Sequence, residues 1–119
     1  MISKEFANRF AEDWIESWNA HDLDRILAHY SADFEMSSPV IAQLMSEASG
    51  LLRGKEAIRT YWVKALAHNP SLRFELVDVF AGASSVTIVY RGHRGLGAEV
   101  FWFDAEAKVF RAAAHYAAS

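Results

Sequence analysis

The first part of the chain has apolar residues at the spacing of an α-helix. Phe6, Phe10, Trp14 and Trp18 stand four residues apart, and charged residues occupy many of the positions between them. This pattern predicts an amphipathic helix from about residue 3 to residue 19, with one face packed on a core.

A second, shorter helix is expected after a break at residues 19–21. Asp22 stands where a helix N-cap is favoured. By helical periodicity His29 would lie on the exposed face. The two helices are therefore expected to form a hairpin. The apolar face of the second helix would consist of Leu23, Ile26, Leu27 and Tyr30.

The middle of the chain combines one clear helix with weaker signals. Residues 33–38 alternate in polarity and are followed by Pro39, which predicts a short strand. Serines and a glycine interrupt the apolar residues of 40–54, so this segment is expected to be a loop with room for one helical turn. A third helix is expected at about 55–68, where Pro70 follows soon after the last apolar position.

From residue 72 onward the apolar positions recur with a period of two. Because the connections are short, neighbouring strands should be antiparallel. Helices first and strands afterwards indicate an α+β fold, with helices on one face of a curved sheet. The length of 119 residues suits a single domain that spans 1–119. The alternating runs are 72–81, 84–92, 97–104 and 108–117.

Composition excludes several classes of protein. The chain is 52% apolar, has a formal charge of −3 and contains no cysteine. A disulfide framework, a thiolate zinc site and a cysteine nucleophile are therefore excluded, and the mild acidity gives no reason to bind nucleic acid or an anionic membrane. No apolar run reaches 18 residues and no secretory signal is visible, so we expect a cytoplasmic protein.

The histidines and glycines do not predict a metal or cofactor site. Within the predicted helices no histidine stands four residues from a carboxylate, the spacing of a helical zinc site. The glycine-rich run at 50–56 is one residue too short for a phosphate-binding loop. We therefore expect no metal and no cofactor.

Four segments make the chain resemble the SnoaL-like branch of the nuclear-transport-factor-2-like (NTF2-like) superfamily, which includes ketosteroid isomerases and polyketide cyclases. They are WNAHDLD at 18–24, FEMSSP at 34–39, RGKEAIR at 53–59 and the terminal hairpin at 101–111. The resemblance implies a cone-shaped, curved antiparallel sheet wrapped around three N-terminal helices, a fold that is also called cystatin-like. It implies many possible functions, because this fold hosts enzymes and non-catalytic proteins alike.

The same resemblance assigns three catalytic positions of the isomerases. The tyrosine of the first helix falls on Trp14, the general base on Ser38 and the buried acid on Glu99. Serine cannot abstract an α-proton unaided, so steroid-isomerase chemistry is disfavoured. The acid that many SnoaL-like members carry on the last strand falls on Ala114, which argues against the cyclase mechanism as well.

Strand alternation predicts an interior lined mainly by aromatic side chains. If Glu99 points inward, so do Phe101 and Phe103, whereas Val100 and Trp102 point outward. The remaining inward positions, and hence candidate ligand contacts or core residues, are Trp14, Trp18, Tyr30, Met36, Ser38, Trp62, Phe74, Leu76, Val86, Ile88, Tyr90, Phe110, Ala112, Ala114 and Tyr116.

Glu99 has two interpretations. Within an aromatic hollow its pKa would rise, and a neutral carboxyl group could donate a hydrogen bond or transfer a proton. Near the mouth of the cone it would instead be hydrated, or paired with Arg91 or Arg94. The other candidates are equally open, because Ser38 could simply cap its own turn and the tryptophans could simply be core.

The outer face of the predicted sheet is also apolar. An antiparallel sheet normally keeps one face in water, so an apolar outer face needs a cover. We expect a homodimer formed through this face. The residues concerned are Val77, Val79, Val89, Val100, Trp102 and Ala113.

Two functions follow from the sequence. The first is a pocket protein for a small apolar molecule, an isomerase, cyclase or hydrolase in which Glu99 is the acid and Ser38, Trp14 and Tyr90 position the substrate. The second is a non-catalytic ligand-binding or dimeric interaction domain. The sequence assigns one ionisable group to the inner wall, whereas acid–base catalysis commonly uses two.

Overall fold

The computed structural model describes residues 1–118. Within them the chain forms four helices and six strands, joined by turns and short loops. No helix among these residues has both the length and the apolarity needed to cross a membrane. The helices are α1 (Lys4–Asn19), α2 (Leu23–Leu27), α3 (Pro39–Met45) and α4 (Lys55–His68). The strands are β1 (Tyr30–Ser37), β2 (Leu51–Arg53), β3 (Glu75–Ala81), β4 (Ser85–Gly92), β5 (Gly95–Phe103) and β6 (Val109–Tyr116).

Helix α1 matches its prediction, whereas α2 is shorter than expected. The Ser3 side chain caps α1 by accepting a hydrogen bond from the Phe6 amide. Helix α2 ends at Leu27, and Tyr30 begins β1 instead of completing a helical face. The prediction was wrong because the backbone here enters the sheet, where the His29 carbonyl accepts from the Val109 amide at 2.9 Å.

His29 is also not on an exposed helix face. Its Nε2 lies 2.6 Å from Oδ2 of Asp13, and its ring meets that of Phe10 edge to face. The Asp13 carboxylate also accepts hydrogen bonds from the Arg25 guanidinium. This cluster joins α1 to α2 and to the start of β1.

The segment predicted to be a loop contains a helix and a strand. Ser38 caps α3 with its side chain, Pro39 occupies the first turn, and Ser46 ends the helix with a φ of 53°. Strand β2 then pairs with β1. The loop prediction was wrong because a helix of seven residues and a strand of three are too short to show a periodic pattern.

The six strands form one curved, open sheet in the order β2-β1-β6-β5-β4-β3. All neighbours are antiparallel except β1 and β6, which run parallel. This pair is the one exception, among the described strands, to the antiparallel pairing expected of the sheet. A parallel pair needs a long connection, and most of the chain lies between these two strands.

Alternation along β5 is as the sequence indicates. Glu99, Phe101 and Phe103 are buried, whereas Val100 and Trp102 are half-exposed. The inner face of this strand therefore carries one carboxyl group, followed along the strand by two phenylalanine rings.

Two predicted orientations are wrong because the strand register shifts. Between β5 and β6 the register shifts at Trp102 and Phe103, so that Val109 is buried and Phe110 is 45% exposed. Between β3 and β4 it shifts after Leu76, so that Val79 packs against the core instead of facing outward. Such bulges reverse the side-chain parity beyond them.

The outer face retains exposed apolar surface. Val89, Val100, Trp102 and Ala113 are half-exposed there, and Phe80 is 56% exposed. The homodimer expected from this face stays a prediction.

Candidate functional site

A cavity of about 300 Å³ opens between α1, α4 and the hairpin that joins β4 to β5. Its size is at the lower end of the range for small-molecule sites. Its lining residues are Trp14, Trp18, Met36, Val40, Leu44, Tyr61, Trp62, Ala65, His68, Asn69, Leu72, Phe74, Tyr90, Gly92, His93, Arg94, Gly95, Glu99 and Tyr116.

Aromatic rings in mutual contact form much of the wall. Trp14 and Phe74 are stacked with ring centroids 5.6 Å apart, and Phe74 lies 4.6 Å from Tyr90. Trp18 meets Trp62 edge to face at 5.2 Å, and its indole N–H is fully buried without a hydrogen-bond partner among the described residues. Such a wall suits a flat apolar molecule.

The turn after α1 holds part of this wall in place. The Asn19 side-chain amide donates to the Phe74 carbonyl at 3.0 Å and accepts from the Phe74 amide at 2.7 Å. His21 has a φ of 56°, and its Nε2 lies 2.8 Å from the Leu72 carbonyl oxygen. Residues 19–21 therefore position the chain that carries Phe74.

Glu99 is the one acidic residue in the cavity wall among the described residues. It lies opposite Ala114 on β6 and Ile88 on β4, and it is 4% exposed. Its carboxyl group makes no hydrogen bond with any residue of 1–118, so it is paired with neither Arg91 nor Arg94. Burial raises its pKa from 4.5 to about 8. At neutral pH the group is therefore mostly protonated and can donate.

All four tyrosines of the chain lie within electrostatic reach of this carboxyl group. Burial raises the pKa of Tyr30, Tyr61, Tyr90 and Tyr116, and a negative charge on Glu99 raises each further. Their hydroxyl groups thus stay neutral. The site offers several hydroxyl groups around one titratable acid.

The mouth of the cavity is polar. Nδ2 of Asn69, just after α4, lies 2.8 Å from Nδ1 of His93 on the hairpin. The Arg94 guanidinium carbon lies 5.9 Å from the centre of the Tyr116 ring, at a cation–π distance. His68 also lines this opening.

One known protein family matches most of the chain. Residues 11–117 match the SnoaL-like domain, which covers most of the chain. The chain belongs to the SnoaL-like family. The resemblance drawn from its sequence segments is thereby confirmed, and so is the α+β fold.

Solved structures of SnoaL-like and related proteins share this fold. The chain is 52% identical to a SnoaL-like protein of unknown function from Burkholderia thailandensis, with a TM-score of 0.94 and 98% of each chain covered. It is 16% identical to SalBIII, described as an epoxide hydrolase/cyclase-like enzyme with a role in pyran ring formation in salinomycin, with a TM-score of 0.76 over 99% of this chain and 95% of that one. TerC, co-crystallised with polyporic acid, is 13% identical, with a TM-score of 0.73 over 93% and 92%. No curated protein matches.

Of the three positions that the SnoaL-like resemblance assigned to catalysis, Glu99 and Trp14 lie in the cavity wall and Ser38 does not. Glu99 lines the cavity. Trp14 lines it with its ring, but its indole N–H donates to the Tyr30 hydroxyl at 3.2 Å. Ser38 is buried and accepts from the Val40 amide at 3.1 Å as the cap of α3, and it is not in the cavity wall.

The other sequence candidates divide between the wall and the core behind it. Those in the wall are Trp18, Met36, Trp62, Phe74, Tyr90 and Tyr116. Those behind it are Tyr30, Ile88, Phe101, Phe103, Ala112 and Ala114, all of them buried.

Sequence reasoning missed Tyr61 and the residues of the mouth. Tyr61 directly precedes Trp62 on α4, and its place beside the apolar stripe was the available signal. His93 and Arg94 belong to a basic run that is typical of a solvated turn, and Asn69 follows the end of a helix. Only the packing of α4 beside the hairpin brings these residues together.

Proposed function

We propose that this SnoaL-like protein binds a small, largely apolar ring compound and that Glu99 transfers a proton to an oxygen atom of that compound. The observation that carries the proposal is the placement of Glu99 in the cavity wall without a hydrogen-bond partner among the described residues. A buried carboxyl group with a pKa of about 8 is neutral at pH 7 and near its own titration point.

A single carboxyl group can serve such a reaction in two steps. In the opening of an epoxide, the Glu99 proton goes to the epoxide oxygen, and the broken C–O bond leaves its electron pair there. Water, or a hydroxyl group of the same substrate, forms the new C–O bond and releases its proton to the Glu99 carboxylate. Hydrolysis and ring closure thus return Glu99 to its starting state.

The comparisons support this class of chemistry. SalBIII is described as epoxide hydrolase/cyclase-like, and TerC was co-crystallised with polyporic acid. Both have the same fold as this chain. The cavity, the aromatic wall and the neutral tyrosine hydroxyls supply what a flat, oxygen-bearing substrate needs.

A second candidate is a ligand-binding protein without catalysis. The observation that favours it is the absence of a second carboxyl or serine hydroxyl from the cavity wall of residues 1–118, since Ser38 caps α3 and Ala114 stands opposite Glu99. Acid–base catalysis commonly uses a pair of groups.

Turnover of a small set of probes separates these candidates. Styrene oxide and trans-stilbene oxide report hydrolysis, a 5-aryl-4,5-epoxypentan-1-ol reports ring closure, and deuterium exchange of 2-tetralone reports enolisation. We expect at least one probe to be converted by the wild type and Glu99→Gln to lower its rate at least roughly a hundredfold. The rate should also fall as the pH rises above about 8, because Glu99 then loses its proton.

Glu75→Gln is the matched control. Glu75 is an exposed residue on β3 outside the cavity, so its loss should leave turnover unchanged. Equal rates in wild type and Glu99→Gln would contradict the proposed acid. Thermal stabilisation by probes that are never converted would favour the ligand-binding candidate.

A further inference from the structure

The charged and polar groups of the cavity are divided between its two ends. The deep end holds Glu99, which is mostly protonated at neutral pH. The mouth holds Arg94, His68, His93 and Asn69. Among the described residues no acidic side chain lines the mouth, so the Arg94 guanidinium faces the opening without a carboxylate beside it in the wall.

Arg94 lies over the cavity and not away from it. Its guanidinium carbon is 5.9 Å from the Tyr116 ring centre. Burial raises the pKa of Tyr61 and of Tyr116, and the positive charge of Arg94 acts on both in the opposite direction. Arg94 forms no salt bridge within residues 1–118, so its donors remain available to a ligand.

The other polar groups of the mouth largely satisfy each other. Burial and the neighbouring Arg94 lower the pKa of His93, so its ring is neutral at pH 7 and its Nδ1 can accept from the Asn69 amide at 2.8 Å. This hydrogen bond joins the hairpin to the end of α4 beside Arg94. It leaves the guanidinium as the fixed positive charge at the opening.

We propose that the mouth is an anion subsite, in which Arg94 binds a carboxylate carried on the outer end of a ligand whose ring lies in the aromatic part of the cavity. The ligand class is thus a ring compound with a carboxylate at one end and an uncharged oxygen acceptor toward Glu99. The inference rests on the proposed function, because it assumes that the cavity takes such a ring compound.

Paired acids and amides test the subsite. The probes are 2-naphthoate with 2-naphthamide and biphenyl-4-carboxylate with its amide, titrated calorimetrically at pH 7 and low salt. Each pair has the same shape and differs in charge. We expect the acids to bind roughly ten times more tightly than the amides, because a hydrogen-bonded ion pair at a half-open site is stronger than a neutral contact. Added salt should reduce this preference.

Two arginine variants identify the group responsible. Arg94→Gln should remove the preference for acids while leaving the affinity for amides nearly unchanged. Arg91→Gln is the matched control, because Arg91 is an exposed residue of the same hairpin that does not line the cavity, and it should keep the preference. Arg94→Lys should keep part of it, since lysine retains the charge without the planar fork.

The outcomes separate the subsite from the function on which it rests. Amides that bind as tightly as acids, or a preference that survives Arg94→Gln, would overturn the subsite and leave the proposed pocket intact. Failure of every acid and every amide to bind would contradict the proposed function, and the subsite with it.

Discussion

The two ends of the interior are built on the same strands but filled differently. At one end the rings of Phe101 and Phe103 meet that of Phe10 edge to face at 4.9 and 5.0 Å, and Phe6 lies against Phe103 at 5.1 Å. At the other end the next inward residue of β5 is Glu99, which borders the cavity. We call these the phenylalanine end and the cavity end.

The two ends differ in the side chains that the helices and the neighbouring strands place beside β5. The cross-strand partners of Phe101 and Glu99 are both alanines, so β6 fills neither end. Phe10 of α1 fills the phenylalanine end, whereas Trp14 meets Phe101 edge to face and packs on its other side against Phe74 and Tyr90. A hollow remains beside Glu99.

Gly97 contributes to that packing. It lies on β5 opposite Tyr90, and a Cβ atom at Gly97 would lie only 3.1 Å from Cζ of the Tyr90 ring. The ring can therefore lie across the strand because the residue beneath it has no side chain. The cavity is thus a consequence of small residues on the strands and of ring orientation.

Truncating one phenylalanine at each end should give the largest contrast in stability. Phe101→Ala should lower the free energy of unfolding by about 3–5 kcal/mol, because the ring is fully buried and its loss leaves a void. Phe74→Ala should cost roughly 1.5–2.5 kcal/mol, because this half-buried ring already borders empty space. Chemical denaturation measures both, and equal losses would contradict the proposed difference in packing.

Removing the charge of Glu99 should change how stability depends on pH. The folded pKa of about 8 exceeds the ordinary 4.5, so between these values the folded chain holds one more proton than the unfolded chain. Stability from this group therefore falls as the pH rises, by about 1.4 kcal/mol per unit, and levels off above pH 8.

The matched variant for this effect is Glu99→Gln, which keeps the shape and cannot ionise. Its free energy of unfolding should approach that of the wild type near pH 4.5 and exceed it by a few kcal/mol above pH 8. Urea denaturation at several pH values measures the gap. Parallel curves for the two proteins would show that Glu99 is not desolvated.

Trp102 lies between Phe101 and Phe103 in the sequence and on the opposite face of β5, so its substitution tests the outer face of the sheet. If the apolar outer face forms a homodimer, Trp102→Asp should weaken it by about 2 kcal/mol or more, the size of an interface hot spot. Light scattering at several protein concentrations measures the mass. A wild type that is monomeric at all of them would contradict the dimer.

Ser38 should have the smallest effect. Ser38→Ala removes the hydrogen bond to the Val40 amide and should cost about 1 kcal/mol through loss of the α3 cap. Ser38→Thr keeps the hydroxyl group and should recover part of this. Turnover that disappears in Ser38→Ala while α3 stays intact would instead indicate a catalytic serine.

The sequence was most informative where its patterns were long. The 16 residues of α1 and the 14 of α4 have helical stripes, and alternation along β5 correctly predicts that Glu99 shares a face with Phe101 and Phe103 and that Trp102 lies on the other. Register shifts are not visible in alternation, which is why Phe110 and Val79 were placed on the wrong faces.

The mouth of the cavity could not be predicted in the same way. Asn69 and His93 are 24 residues apart, and neither belongs to a pattern that points to the other. Arg94 looks like an ordinary turn residue until the hairpin is packed against Tyr116. Sites that depend on the meeting of a helix end and a hairpin require the tertiary structure.

The most direct test of the account is the titration of the Glu99 carboxyl carbon by NMR in the free protein, assigned with Glu99→Gln. The account predicts a midpoint near pH 8, because burial without a hydrogen-bond partner disfavours the charge. A midpoint below about pH 5, in the ordinary range of glutamate, would contradict the claim that a neutral acid lines the cavity.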